Sequence, residues 1–166
     1  TYAVEASRPL PELGGGKIGP VEEAIGRNCA SLIEDGSTLQ LGIGSIPDAV
    51  LKFLGDKKDL GIHSEMFSDG VVDLYEQGVI TGAAKTENKG KMVAAFLMGS
   101  KKLYDFVDNN PDVMMLTVDY VNDPVVVSRQ NKMVSINSCL QVDFNGQVNS
   151  ESMGVNQFSG IGGQLD

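Results

Sequence analysis

Histidine, cysteine and long apolar runs are the scarce features of this sequence, and each scarcity closes off a class of function. A single histidine, His63, rules out the histidine-rich metal sites. The two cysteines, Cys29 and Cys139, have no metal-ligand spacing, which favours a reduced, cytoplasmic protein over a disulfide-stapled one. No stretch approaches the roughly eighteen apolar residues that a membrane span needs. Positive charge is short as well: 13 Lys and Arg against 22 Asp and Glu leave a net charge of −9. Nucleic acid and anionic membrane are therefore excluded as natural partners. Any anionic ligand has to be met by locally arranged donors.

Glycine, by contrast, is abundant. Twenty glycines in 166 residues make about 12%, against a usual share of about 7%. The surplus points to tight turns and close backbone approaches. With 42% hydrophobic and 21% charged residues, the chain suits one globular domain with a sizeable core.

Residues 1–19 read as a connector, because Pro9, Pro11 and Gly14-Gly15-Gly16 interrupt any periodic pattern. A domain is expected over residues 20–166, incomplete at its C-terminus, since the sequence stops just after a glycine-rich loop. A helix starts at Pro20, with Val21, Ala24, Ile25, Cys29, Leu32 and Ile33 on one stripe, and Asp35-Gly36 ends it. Residues 37–43 read as a buried strand. The next helix has Ser45 as its cap, Pro47 and Asp48 in its first turn, and Ala49, Val50, Phe53 and Leu54 turned inward. Strand at 60–64, helix at 69–77, one continuous strand at 91–97, helix at 101–107 and strand at 113–118 follow. A short helix covers 124–129. A strand over 133–142 then enters an Asn145-Gly146 hairpin. Repeated strand–helix pairs predict an α/β fold with a mostly parallel sheet and flanking helices.

Chemistry concentrates at two strand ends. Gly42-Ile43-Gly44-Ser45-Ile46 leaves a strand and opens a helix, where unpaired amides can hold an anion or a developing oxyanion. An ordinary tight turn is the plain alternative. The loop is neither a dinucleotide fingerprint, because Pro47 stands at the third glycine position, nor a phosphate loop, because no Gly-Lys-Ser/Thr follows. Roughly twenty residues later, the apolar run Leu60-Gly61-Ile62-His63-Ser64 ends on Glu65. A carboxylate at the carboxyl end of a strand lies where open α/β sheets place their ligand crevices. It could be a base, a metal ligand or a nucleophile, or a surface acid before a helix. Metal binding is the weakest of these, and no metal site is expected. His63 reads as a core or supporting residue, and Glu151 as a rival acid beyond the hairpin. Gly160, Gly162 and Gly163 offer a second set of close-approach positions.

Taken together, four segments resemble the family I coenzyme A transferases: Leu39-Gln40-Leu41-Gly42-Ile43-Gly44-Ser45-Ile46-Pro47, His63-Ser64-Glu65-Met66, Val118-Asp119-Tyr120-Val121-Asn122-Asp123-Pro124 and Gln157-Phe158-Ser159-Gly160-Ile161-Gly162-Gly163. The 4-hydroxybutyrate and butyryl-CoA:acetate CoA-transferases and the acetyl-CoA hydrolase/transferase group are the nearest members. The resemblance implies a CoA-transferase-like α/β domain, the second of two similar halves, with the N-terminal half of the same enzyme as a partner and a homo-oligomer as the assembly. It implies transfer of coenzyme A between a short-chain acyl-CoA and a carboxylate such as acetate, by ping-pong chemistry with Glu65 as catalytic nucleophile. Coenzyme A enters as substrate, and no permanently bound cofactor is implied. Gly42, Ile43, Gly44, Ser45 and Ile46 then form the CoA-contacting loop, with the Ile43 N–H facing the oxyanion. Ser159 and Gly163 belong to the second glycine loop. Gln40 aligns with a substrate-pocket glutamine, Leu140 with a CoA-contacting backbone, and Glu151 becomes supporting. An acyl-CoA hydrolase and a non-catalytic CoA-binding half-domain are the alternatives.

Overall fold

The computed structural model describes residues 3–163. Residues 1–2 and 164–166, the outer ends of the expected connector and domain, lie outside the described residues. From 3 to 19 the chain carries no helix or strand. Part of this stretch is nonetheless tied down: the Leu13 N–H donates to the Gly99 carbonyl at 2.9 Å, and the Tyr104 hydroxyl donates to the Pro11 carbonyl at 2.8 Å.

Helix α1 (Pro20–Ala30) starts at the expected proline, but only part of the expected stripe is covered: Ile33 is buried and Ile25 and Cys29 are half-buried, while Val21 is 67% and Leu32 79% exposed. Gly26 and Ala30, off that stripe, are buried instead. The small residues win because α1 packs closely on α2 (Ser45–Leu51), and only a residue without a Cβ fits at Gly26 against the Ala49 backbone. Strand β1 (Thr38–Leu41) follows, and after α2 the chain forms β2 (Gly61–Ile62), β3 (Met66–Phe67) and α3 (Asp69–Glu76). The expected single strand over 91–97 is two, β4 (Met92–Ala94) and β5 (Phe96–Leu97), bent at Ala95. Helix α4 (Lys101–Val107) has the predicted bounds, with Ser100 capping it through a bond accepted from the Lys102 N–H. Strand β6 (Val113–Met115) is shorter than expected, because Val118 already begins α5 (Val118–Val121). Then come α6 (Pro124–Ser128), β7 (Met133–Ile136), the hairpin β8 (Gln141–Val142) and β9 (Val148–Asn149), and the hairpin β10 (Ser152–Met153) and β11 (Asn156–Gln157).

The sheet is mostly parallel, as the alternating pattern predicts. β1 lies between β2 and β7, parallel to both, β4 pairs parallel with β6, and the bridge from His63 to Val93 ties the two groups together. Strands β1, β2 and β4 are buried on both faces: Leu39, Ile62, Val93 and Ala94 are all at 0% exposure. Leu41, Val50, Leu54, Phe67, Val71, Val72 and Leu103 share one core with Leu39, Ile62 and Ala94. Antiparallel pairing is confined to β3 at the end of β1 and to the two C-terminal hairpins. Among the described residues, no helix is long and apolar enough to cross a membrane.

Candidate active site

The site exists because the sheet breaks. Strand β2 runs beside β1 only as far as His63; the chain then crosses the end of β1, where Met66 pairs antiparallel with Leu41. Ser64 makes the crossing possible. Its hydroxyl accepts from the Leu41 N–H at 2.9 Å and donates to the Leu41 carbonyl at 3.2 Å, so a side chain satisfies the backbone groups the departing strand leaves behind. The neighbouring strand breaks at the same level. The Glu65 carbonyl accepts from the N–H groups of Ala95 and Phe96, at 2.9 and 3.0 Å, inside that bend. Glu65 is thereby fixed at the carboxyl end of the parallel strands, partly buried.

A cleft of about 470 Å³ opens in front of it. Gln40, Gly42, Ile43, Leu140, Ser159 and Gly163 all line this cleft with Glu65. Gly44 and Ser45 face instead an adjoining cavity of about 550 Å³, shared with Asp48 and with Gly14-Gly15-Gly16, and Ile46 lines neither. Glu65 is the only charged side chain among the described residues lining the first cleft. Its Oε2 accepts from Asn122 Nδ2 at 3.0 Å. Gly163 presses against the same carboxylate, and a Cβ at Gly163 would overlap both the Glu65 oxygen and the Asn122 amide. Behind Glu65 a smaller cavity of about 290 Å³ is lined by Gln40, His63, Ser64, Asn122 and Ser135 among others. Gln40 is held there by Asn137, whose Nδ2 donates to Gln40 Oε1 at 2.9 Å.

The first glycine loop is only partly free to bind. The Gly42 N–H is already spent on the Ile136 carbonyl at 2.8 Å, so it offers no donor to a ligand. No partner meets the Ile43 N–H among the described residues. The helix cap is Gly44 rather than the expected Ser45, because the entry to α2 needs φ 122° and ψ −177°, which only glycine adopts without strain. Just before β8 the Leu140 N–H donates to the Asn149 carbonyl at 2.9 Å, and in the second glycine loop the Ser159 hydroxyl donates to the Ser150 carbonyl at 3.2 Å. Glu151 works through its backbone: its carbonyl accepts from Phe158 at 2.7 Å and Ser159 at 3.1 Å, folding the glycine loop back over the cleft.

Other residues take part: the motif reading assigned no role to Asn122 or Lys85, and gave His63 a core or supporting one. Asn122 reaches Glu65 from 57 residues away. The only local hint is its place just before Asp123-Pro124, where Asp123 caps α6 by accepting from the Val125 N–H at 2.8 Å. His63 is 1% exposed; its Nε2 lies 2.8 Å from the Val121 carbonyl and its Nδ1 3.1 Å from Gln130 Nε2. A carbonyl only accepts, so Nε2 carries the proton and Nδ1 accepts from Gln130. Burial pushes the ring below its ordinary range, against the hydrogen bond to Val121, which works the other way. Lys85, only 3% exposed, donates to the carbonyls of Ile62 at 2.8 Å and Lys91 at 2.7 Å. It clamps the two broken strands just below the site, and burial lowers its pKa to about 8.

Residues 99–166 match the family model for the acetyl-CoA hydrolase/transferase C-terminal domain. The chain is 66% identical to the 4-hydroxybutyrate coenzyme A transferase of Clostridium kluyveri, over 99% of this chain and 38% of that protein. It is 44% identical to the butyryl-CoA:acetate CoA-transferase of Anaerostipes caccae, over 98% of this chain and 37% of that protein. Among solved structures, 4-hydroxybutyrate CoA-transferase from Porphyromonas gingivalis superposes with a TM-score of 0.83 at 52% identity, over 87% of this chain and 37% of that one. The chain thus spans a little over a third of the length of the proteins it matches. Along nearly all its residues the chain is thus similar to one part of the CoA-transferases of the acetyl-CoA hydrolase/transferase type.

Proposed function

We propose that this chain is the catalytic C-terminal domain of an acyl-CoA:carboxylate CoA-transferase, exchanging coenzyme A between butyryl-CoA or 4-hydroxybutyryl-CoA and acetate. It works with an N-terminal half of the same cytoplasmic enzyme, which completes the acyl pocket. One observation carries the reading: among the described residues, a lone carboxylate at the strand ends faces a cleft lined by no cation, pressed by a glycine loop and held by an amide. An acid in such a place is arranged as a nucleophile rather than as a partner in an ion pair.

In the reaction, one Glu65 carboxylate oxygen attacks the thioester carbonyl, and the C–S bond breaks to release CoA thiolate. The product is an acyl-glutamyl anhydride. The thiolate then attacks the glutamyl carbonyl, expelling the first carboxylate and leaving a glutamyl–CoA thioester. An incoming acetate oxygen attacks that thioester, and the steps reverse to give the new acyl-CoA. Each stage needs a carrier whose bonds to sulfur and to carboxylate lie near the substrate's in energy, which a carboxyl group meets and a serine ester does not. The Ile43 N–H is the first candidate donor to the oxyanion, and the Gly163 N–H a second; losing such a donor costs about two to three powers of ten in rate. Gln40, set by Asn137, orients the carboxylate substrate.

The test is covalent trapping. Full-length protein incubated with butyryl-CoA and digested for mass spectrometry should carry a CoA adduct on Glu65. Glu65→Asp, which misplaces the carboxylate by roughly 1 Å, should lose on the order of a hundredfold in turnover. A Glu65→Ala variant that turns over at the wild-type rate removes the residue from the mechanism. Steady release of butyrate and CoA without acetate would instead support hydrolysis.

A further inference from the structure

We infer that His63 is a positioning residue for the nucleophile, acting through Asn122. The inference rests on the reading of Glu65 as the acyl carrier and adds the device that aims it.

The argument is topological. His63 and Glu65 are two residues apart at the end of β2, and Val121 and Asn122 are adjacent at the end of α5. His63 Nε2–H donates to the Val121 carbonyl at 2.8 Å, and Asn122 Nδ2 donates to Glu65 Oε2 at 3.0 Å. The two hydrogen bonds and the two short stretches of backbone close a ring: His63, Ser64, Glu65, Asn122, Val121 and back to His63. Neither bond can lengthen without straining the other, because Ser64 is itself locked to both backbone groups of Leu41. A partly exposed carboxylate of this kind would otherwise sample several rotamers at small cost. The closed ring reduces that freedom and leaves Oε2 occupied.

The outer side of the ring is also braced. Gln130, 5% exposed, donates to His63 Nδ1 at 3.1 Å, which fixes the tautomer that donates to Val121. The His63 and Tyr120 rings lie 6.3 Å apart, and the Tyr120 hydroxyl accepts from Asn88 Nδ2 at 2.9 Å, so α5 is pinned from below as well. A histidine confined to hydrogen bonds with a carbonyl and an amide, out of the cleft, does not touch the reacting atoms. Its influence has to run through the alignment of Asn122.

A double-mutant cycle in the full-length protein tests this, with folding followed by circular dichroism and thermal unfolding. His63→Asn keeps an amide near the Nδ1 position and loses the donor to Val121; His63→Gln keeps a donor near Nε2. His63→Asn and Asn122→Ala should each lower kcat by about ten- to a hundredfold with KM little changed, as expected for a misaligned reacting group. The double variant should be no worse than the poorer single, because both remove one alignment. His63→Gln should recover most of the lost kcat. Losses that multiply in the double variant, an unimpaired His63→Asn, or a Gln form as damaged as the Asn form would each overturn the inference. Should the Asn form not fold, ring ¹⁵N resonances of the wild-type protein decide: a protonated Nε2 with a bare Nδ1 supports it, and the opposite tautomer overturns it. A turning-over Glu65→Ala variant would sink the nucleophile reading itself, whereas an inactive one beside additive losses would sink only the coupling.

Discussion

The parallel sheet and the C-terminal hairpins are built on opposite principles, although both end at the same carboxylate. In the sheet, Leu39, Ile62, Phe67 and Val93 are all at 0% exposure. In the hairpins, Phe144 and Val155 stand almost wholly in solvent, and Val142, Val148, Phe158 and Ile161 are more than half exposed. Four such side chains at full burial would contribute roughly 1.5–3 kcal/mol each, and within this chain most of that is not realised. The hairpins hold their shape through turns and hydrogen bonds, such as the Leu140 to Asn149 bond of 2.9 Å, rather than through a core. The comparison teaches that the glutamate is placed by the rigid part, while the wall that closes on it belongs to a part whose apolar surface is uncovered. Uncovered apolar surface of this extent is where the proposed N-terminal half would pack.

Breaking each part in turn should separate the two contributions. Gly163→Ala puts a methyl group into the Glu65 carboxylate and the Asn122 amide. Because that loop carries none of the core, the change should cost about a hundredfold in kcat while leaving the melting temperature unmoved; paired steady-state kinetics and calorimetry check both halves of the claim. Gly26→Ala does the reverse. Its Cβ would meet the Ala49 carbonyl oxygen at 2.7 Å, backbone against backbone, so α1 and α2 must separate. Overpacking of this kind costs typically 1–3 kcal/mol, read as a lower urea midpoint, with the chemistry at Glu65 kept in the molecules that fold.

A further effect is a pH dependence in the sheet. Burial lowers the Lys85 pKa from 10.5 to about 8. Between those values the unfolded chain binds a proton that the folded chain has shed, so stability rises with pH across that window, and below it the cost of burying the charge is fully present. Lys85→Met should remove this rise from the urea midpoint measured between about pH 8 and 10.5. A rise that persists in the variant would assign it to another group.

Much of the site was legible in the residues, and for physical reasons. Apolar runs that end on glycine or on an acid mark strand ends, and the strand ends of a parallel sheet converge on one edge. Hence Gly42, Ile43 and Glu65 meet at one cleft; Gly163 was marked by its glycine loop, and Gln40, Leu140 and Ser159, which line the cleft too, only by the family resemblance. Punctuation was legible too, at Pro20 and around α4. The bend at Ala95 was not, because hydrophobicity runs on through it while the backbone changes partner. The packed face of α1 was hidden by the opposite cause: closeness selected Gly26 and Ala30 over the larger Val21 and Leu32. Asn122 and Lys85 act over 57 and 23 residues of separation, beyond any local pattern. The spent amide of Gly42 was invisible as well, since a glycine placed to bind a ligand and one placed to pair with β7 read alike.

The two oxygens of Glu65 are not equivalent in this arrangement. Asn122 and Gly163 close on Oε2, so under the proposed mechanism Oε1 is the oxygen that attacks the thioester, bridges the anhydride and departs with the first acid when sulfur takes the glutamyl carbon. Each full cycle then replaces that same atom with one brought in by the acceptor acid. Over many cycles with isotopically heavy acetate, the enzyme would take up a single heavy oxygen and keep the other from its own synthesis, a memory of orientation written into the carboxyl group.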